Sequence, residues 1–187
     1  MKEAVIVVDM LKEFVYGRLG NERTRSILPR LQRFLDAARR AGKPVVYVGD
    51  AHLPDDPEMK IWGQHAMKGT PEAETVEELR PQPGDYVLEK RTYSAFHETG
   101  LDLLLRSLGV DTVVITGLHT NICDRHTAAD AFARGYQIVV PEDCVNAFTE
   151  EEHRSGLEYL KAIYGARITS SDELAQEWAR EGSTAHV

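Results

Sequence analysis

The chain has 187 residues, 42% hydrophobic and 28% charged, the balance of a soluble globular protein with one sizeable core. Basic residues number 22 and acidic ones 30, so the formal charge is −8, and no Lys/Arg cluster offsets it; nucleic acid is not an expected partner. No apolar stretch is long enough to cross a membrane, the N-terminus carries no secretory pattern, and two cysteines make no disulfide framework; a reducing cytoplasm is the expected compartment.

Along the chain, "AVIVVDM" reads as a first strand, apolar nearly throughout as a buried parallel strand should be. "SILPRLQRFLDAARRAG" follows as an amphipathic helix, with Pro29 in its first turn and Gly42 closing it. Its Arg39 and Arg40 read as a solvated face. "PVVYVGD" is a second strand and "GDYVLEK" a third. Between them, Asp50 to Pro83 is long, proline-rich and without clear periodicity, which in a compact domain points to function or disorder. "LDLLLRSLG" is a short helix, "DTVVITG" a fourth strand, and "NICDRHTAADAFARG" a helix ending at Gly135. "YQIVVPED" is a fifth strand, and "TEEEHRSGLEYLKAIYG" a helix capped by Thr149. "ARITS" is a sixth strand, and "SDELAQEWAREG" a last helix capped by Ser171 or Asp172.

This alternation predicts one domain over residues 1–187: a three-layer α/β/α arrangement around a six-stranded parallel sheet. Ligands in such sheets bind beyond the carboxyl ends of the strands, where the strand order reverses. Asp9 ends strand one, Asp50 strand two and Lys90 strand three, and Cys123 lies just after strand four. With the order 3-2-1-4-5-6, Asp9 and Cys123 face each other across the switch point.

Those residue types suit acyl transfer. A thiolate is nucleophilic, and a helix start and a nearby cation such as Lys90 lower a thiol pKa. Asp9 is placed to take the thiol proton and pass it to a leaving amine. Free N–H groups at the helix start suit an oxyanion. Cys123 and Cys144 also fit the plain reading of small buried hydrophobes. In the long loop, Asp50, His52 and His65 form a two-His, one-carboxylate set that suits Zn²⁺, Mn²⁺ or Fe²⁺, or serves as ordinary polar loop residues. Asp55, Asp56 and Glu58 are further oxygen donors, though loop carboxylates are usually solvated.

Asp9 in "VVDM", Lys90 in "LEKRTYSAF" and Cys123 in "TGLHTNICDRHTAADAFARGY" resemble the Asp–Lys–Cys triad of the isochorismatase-like cysteine hydrolases, a superfamily that includes nicotinamidases and N-carbamoylsarcosine amidases. The resemblance implies a Rossmann-like six-stranded fold and hydrolysis of a small amide through a thioester. Asp9 is then base and acid, Lys90 its electrostatic partner and Cys123 the nucleophile. It further implies a cis peptide at Leu118–His119, with the N–H groups of His119 and Cys123 as oxyanion donors and Leu118 and His119 beside the substrate. From the nicotinamidase branch it implies a divalent metal, zinc foremost, on Asp50, His52 and His65, and aromatic contacts to a planar substrate from Phe14 and Trp62. The leading activity is deamidation of nicotinamide. The alternatives are an N-carbamoylsarcosine or ureido amidohydrolase with the same triad, and a non-catalytic small-molecule-binding protein. His119 and Asp124 depart from the usual pattern, where a small residue and a valine are common. Arg125 and His126 are expected on the helix surface, in reach of a ligand carboxylate. Self-association as a homo-oligomer is expected through Phe132, Tyr159 and Tyr164.

Overall fold

The computed structural model describes residues 1–184. Its sheet runs β3 (Tyr86–Lys90), β2 (Val45–Asp50), β1 (Glu3–Val8), β4 (Thr112–Leu118), β5 (Gln137–Pro141), β7 (Arg167–Thr169), every pairing parallel. With β7 as the sixth expected strand, this is the order 3-2-1-4-5-6. A short seventh strand, β6 (Val145–Asn146), is new; it pairs with the last two residues of β4, Gly117 and Leu118. Every residue of β1 and β4 is buried, because both strands lie inside the sheet with helices on either face.

The pleat divides the core. Val5 and Val7 of β1 pack with α3 (Leu28–Arg40) and α8 (Ser171–Thr184) through Leu31, Phe34, Leu35, Leu174 and Trp178. Ala4, Ile6 and Val8 face α5 (Leu101–Ser107), α6 (Cys123–Ala133) and α7 (Glu150–Tyr164) through Leu105, Ala128, Ala131 and Leu160. The three-layer architecture thus follows from the alternation along one strand. Among the described residues, no helix is long and apolar enough to cross a membrane.

The helix signals hold at most positions. Pro29 sits in the first turn of α3. Thr149 caps α7 in a reciprocal box with Glu152, and Gly165 closes it in the left-handed conformation. Three expectations change. The cap of α8 is Ser170, whose Oγ accepts from the Glu173 N–H at 3.2 Å; Ser171 instead bonds Asp143. Arg39 is not a solvated residue: its guanidinium donates to Asp85 at 2.8 Å and to the Tyr47 hydroxyl at 3.0 Å. Two short helices precede α3, α1 (Lys12–Val15) and α2 (Glu22–Ser26); α2 is set by a capping box between Asn21 and Thr24. Phe132, Tyr159 and Tyr164 do gather on the outside of α6 and α7, with Phe132 exposed and the Arg125 guanidinium over the Tyr159 ring.

The segment from Asp50 to Pro83 is irregular but ordered. It contains α4 (Met59–Trp62) and two single 3-10 turns, Pro71–Ala73 and Glu77–Leu79. A bridge from His52 to Met67 closes it on itself, and one from Leu11 to Thr75 ties it to the chain just after β1.

Candidate active site

The register lines up the strand ends. Val8 pairs with Val48 of β2 and Gly117 of β4, and Asp50 pairs directly with Lys90. Gly117 is required there: φ is +99°, and a Cβ would lie 2.0 Å from the Val8 carbonyl oxygen. One residue past β1, Asp9 turns into the left-handed region at φ +52°, a conformation that costs a non-glycine residue about 1–2 kcal/mol. The turn is held by the Asp9 N–H on the Val48 carbonyl at 3.1 Å and by the Asp50 N–H on Asp9 Oδ1 at 2.8 Å.

These ends bring Asp9, Lys90 and Cys123 together, as the sequence led us to expect. Lys90 Nζ lies 3.0 Å from Asp9 Oδ2, 2.6 Å from Asp50 Oδ1 and 3.4 Å from Cys123 Sγ, and also donates to the Thr92 carbonyl at 2.9 Å. All four side chains are buried. Burial works against the Lys90 charge, but Asp50 and Asp9 beside it raise its pKa well above the ordinary value. Burial, reinforced by Asp50, pushes Asp9 up to about 6. Burial also pushes the Cys123 thiol well up, against the pull of Lys90. This reverses the sequence-based sign for Cys123. Desolvation outweighs the helix start and the lysine, so the resting group is a thiol with a carboxylate and an ammonium at hand.

The turn after β4 carries the expected cis peptide at Leu118–His119. The His119 carbonyl accepts from the N–H groups of Ile122 and Asp124 at 3.0 and 3.2 Å. The N–H groups of His119 and Cys123 find no acceptor among the described residues, which leaves two free donors in the turn that leads to Cys123.

A cavity opens over Cys123. It is lined by Phe14, Trp62, Tyr93, His119, Ile122 and Phe148, with Leu19 at its side and Asp50, Glu58 and His65 at one end. Phe14, Trp62 and His119 were expected there. Leu118 is not a lining residue; its side chain is fully buried in the core, because β4 still alternates at that position. Tyr93 and Phe148 were not anticipated. The Trp62 indole donates to the Tyr93 hydroxyl at 3.2 Å, and Phe148 lies between Trp62 and His119. Both come from connections after a strand, where periodicity carries no signal. Neither Arg125 nor His126 lines the cavity: Arg125 stacks on Tyr159, and His126 bonds the Ile122 carbonyl at 2.7 Å and packs against Tyr93 from outside the lining, 5.0 Å between ring centroids.

Asp50, His52, Glu58 and His65 each offer a ligand atom, all within 4.8 Å of one another and all buried. Glu58 is therefore a fourth member of the set that sequence alone left among three loop acids. The arrangement fits a divalent cation. Each imidazole is oriented through Nδ1, His52 toward Asp56 Oδ2 at 3.1 Å and His65 toward the Gly63 carbonyl at 2.8 Å, which turns both Nε2 atoms inward. His52 Nε2 and Glu58 Oε1 are buried without a hydrogen-bond partner. Burial alone would lower His52, yet Asp50 and Glu58 drive it up to about 10; two carboxylates in a dry site call for positive charge. Asp50 belongs to both halves, with Oδ1 on Lys90 and Oδ2 3.3 Å from His52 Nε2.

The isochorismatase domain matches residues 3–173. The structure of N-carbamoylsarcosine amidase from Thermoplasma acidophilum is 48% identical, with TM-score 0.88 over 92% of this chain and 98% of that one. Nicotinamidase from Bacillus subtilis is 32% identical, with TM-score 0.87 over 91% and 100%. Pyrazinamidase of Pyrococcus horikoshii, solved in complex with zinc, is 29% identical, with TM-score 0.84 over 91% and 99%. The chain that places Asp9, Lys90 and Cys123 at one sheet edge therefore belongs to the isochorismatase family.

Proposed function

We propose that this protein is a cysteine amidohydrolase that cleaves the C–N bond of a small planar amide through a thioester. The observation that carries the reading is the contact set around Lys90, a carboxylate, an ammonium and a thiol, with two free N–H groups in the turn that leads to the thiol. Asp9 takes the thiol proton as Sγ attacks the carbonyl carbon. The N–H groups of His119 and Cys123 receive the developing oxyanion, a donor being worth roughly 3 kcal/mol of barrier. Asp9 then protonates the leaving nitrogen, and ammonia departs. In the second half Asp9 takes a proton from water, which attacks the thioester; the acid is released and Asp9 returns the proton to the departing Cys123 sulfur. Lys90 stays charged throughout, held so by Asp50 and Asp9.

Asp50, His52, Glu58 and His65 are the residues that would hold a divalent cation, with zinc the leading candidate and manganese or iron the alternatives. Such an ion supplies a Lewis-acidic point for a substrate lone pair. Among the described residues no Lys or Arg lines the cavity, and its walls are aromatic, which favours an uncharged planar amide such as nicotinamide. The 48% identity to an N-carbamoylsarcosine amidase favours a second reading, a carbamoyl or ureido substrate on the same triad.

The test is an ammonia-release screen over nicotinamide, pyrazinamide, N-carbamoylsarcosine, biuret and ureidoacrylate, with and without chelator. Cys123→Ala should lose about 10⁴-fold or more in turnover with an unchanged circular-dichroism spectrum. Retained turnover would remove Cys123 from the mechanism. No turnover of any amide by the unmodified protein would favour a binding role.

A further inference from the structure

Three polar side chains of the cavity serve neither the triad nor the metal-ligand set; Trp62 and Tyr93 are bonded to each other, and His119 is the third. It is 4% exposed, and its Nε2 is buried with no hydrogen-bond partner among the described residues. Its ring is fixed on two sides. Phe148 stacks on it at 4.2 Å between centroids, 19° from parallel, and Phe14 meets it edge-on at 5.8 Å and 90°. Its backbone N–H is one of the two free N–H groups of the turn before α6, and its side chain lines the same cavity as Cys123. Leaving a buried polar nitrogen unpaired is unfavourable, a cost that a bound substrate can remove. A phenylalanine would keep both aromatic contacts without it.

We propose that His119 is a specificity-determining residue: its Nε2 hydrogen-bonds an uncharged nitrogen or oxygen of the substrate directly beside the scissile carbonyl. The favoured class is then small neutral amides with such an atom, ureides and azine-2-carboxamides, over amides with carbon at that position. The inference rests on the amidohydrolase reading. It agrees with the charge of the site. Among the described residues no Lys or Arg lines the cavity, and burial holds the His119 pKa down at about 4, so the ring is neutral at physiological pH. A neutral imidazole has one N–H and one lone pair, and meets an acceptor or a donor by choice of tautomer.

The experiment compares kcat/KM for ammonia release in two matched pairs, pyrazinamide against nicotinamide and picolinamide against benzamide. Each pair differs by one ring nitrogen beside the carboxamide, and its intrinsic reactivity cancels between enzyme variants. The nitrogen-over-carbon ratio should fall about tenfold in His119→Phe relative to the unmodified enzyme, whatever loss both partners share. An unchanged ratio overturns the assignment. If His119→Phe fails to fold by circular dichroism, His119→Leu reads the same ratio without either nitrogen. No ammonia from any of the four amides, nor from biuret, with the unmodified enzyme overturns the amidohydrolase reading itself. That outcome is distinct from turnover with an unaltered ratio.

Discussion

Asp124 follows Cys123 in the first turn of α6, fully buried, with both carboxylate oxygens unpartnered among the described residues. A helix start favours an anion there by a few tenths of a kcal/mol to about 1 kcal/mol. Burial, with Asp9 nearby, opposes it and raises the carboxyl pKa well above its ordinary value. The acid therefore keeps its proton in the folded state at pH values where the unfolded chain has already ionised. Folding then binds a proton, and stability falls as pH rises above the unfolded value of 3.8. Asp124→Asn has the shape of the protonated acid and lacks this penalty. Its Tm should exceed that of the unmodified protein at pH 8, by about 2–4 °C for each kcal/mol recovered, with the difference vanishing toward pH 3. A lower Tm than the unmodified protein at pH 8 would show that Asp124 is held as an anion. The same competition reversed the expectation for Cys123. Its neighbours were legible in sequence because each ends a strand, but the depth of burial is a property of the finished core.

The elements around the site differ in how much of them sequence discloses. Strands and long helices carry periodicity, so the sheet order and most caps could be read. The site's second half comes from irregular chain. Which of Asp55, Asp56 and Glu58 joins the ligand set depends on a tight turn, with the Asp56 N–H on the Leu53 carbonyl, and on Asp56 being buried between the Arg91 guanidinium and His52 Nδ1. Phe148 was equally hidden, since its place follows from the short strand β6. Helix α7 makes this dependence measurable. It packs through Gly156 on the turn that carries the free His119 N–H; a Cβ there would lie 3.0 Å from Thr120 Cγ2 and 3.3 Å from Asn121 Cβ. Gly182 in α8 has open space around the same position. Alanine in a helix is normally worth about 0.5–1 kcal/mol over glycine. Gly182→Ala should therefore raise stability toward urea with kcat/KM unchanged. Gly156→Ala should forfeit that gain and lower kcat/KM about tenfold or more by displacing the 119–122 turn. Equal kcat/KM in the two variants would show that the turn does not depend on α7.

On the scale of the molecule, chemistry and stability occupy opposite edges of the sheet. The reacting groups lie beyond the carboxyl ends of β1 to β4. At the amino ends, Trp178 of α8 stacks on Phe34 of α3 at 5.1 Å, and its indole N–H donates to Glu3 Oε2 at 2.6 Å. Lys43 completes the clamp, 3.0 Å from Glu3 and 5.6 Å above the indole ring. Trp178 is 3% exposed, so it joins the last helix to the start of β1 and to the connection before β2. Trp178→Ala removes a large buried aromatic and leaves the Glu3 carboxylate with Lys43 alone, a change of about 3–5 kcal/mol by the usual cost of such cavities. Because β1 is rigid between its two ends, the loss should appear as a lower urea midpoint with an unchanged slope. Turnover per folded molecule, measured well below the new transition, should stay within about twofold of the unmodified enzyme, the scatter expected of sites more than 10 Å apart. A fall in turnover that tracks no unfolding would mean that the clamp reaches through β1 to Asp9, and that the two edges are coupled.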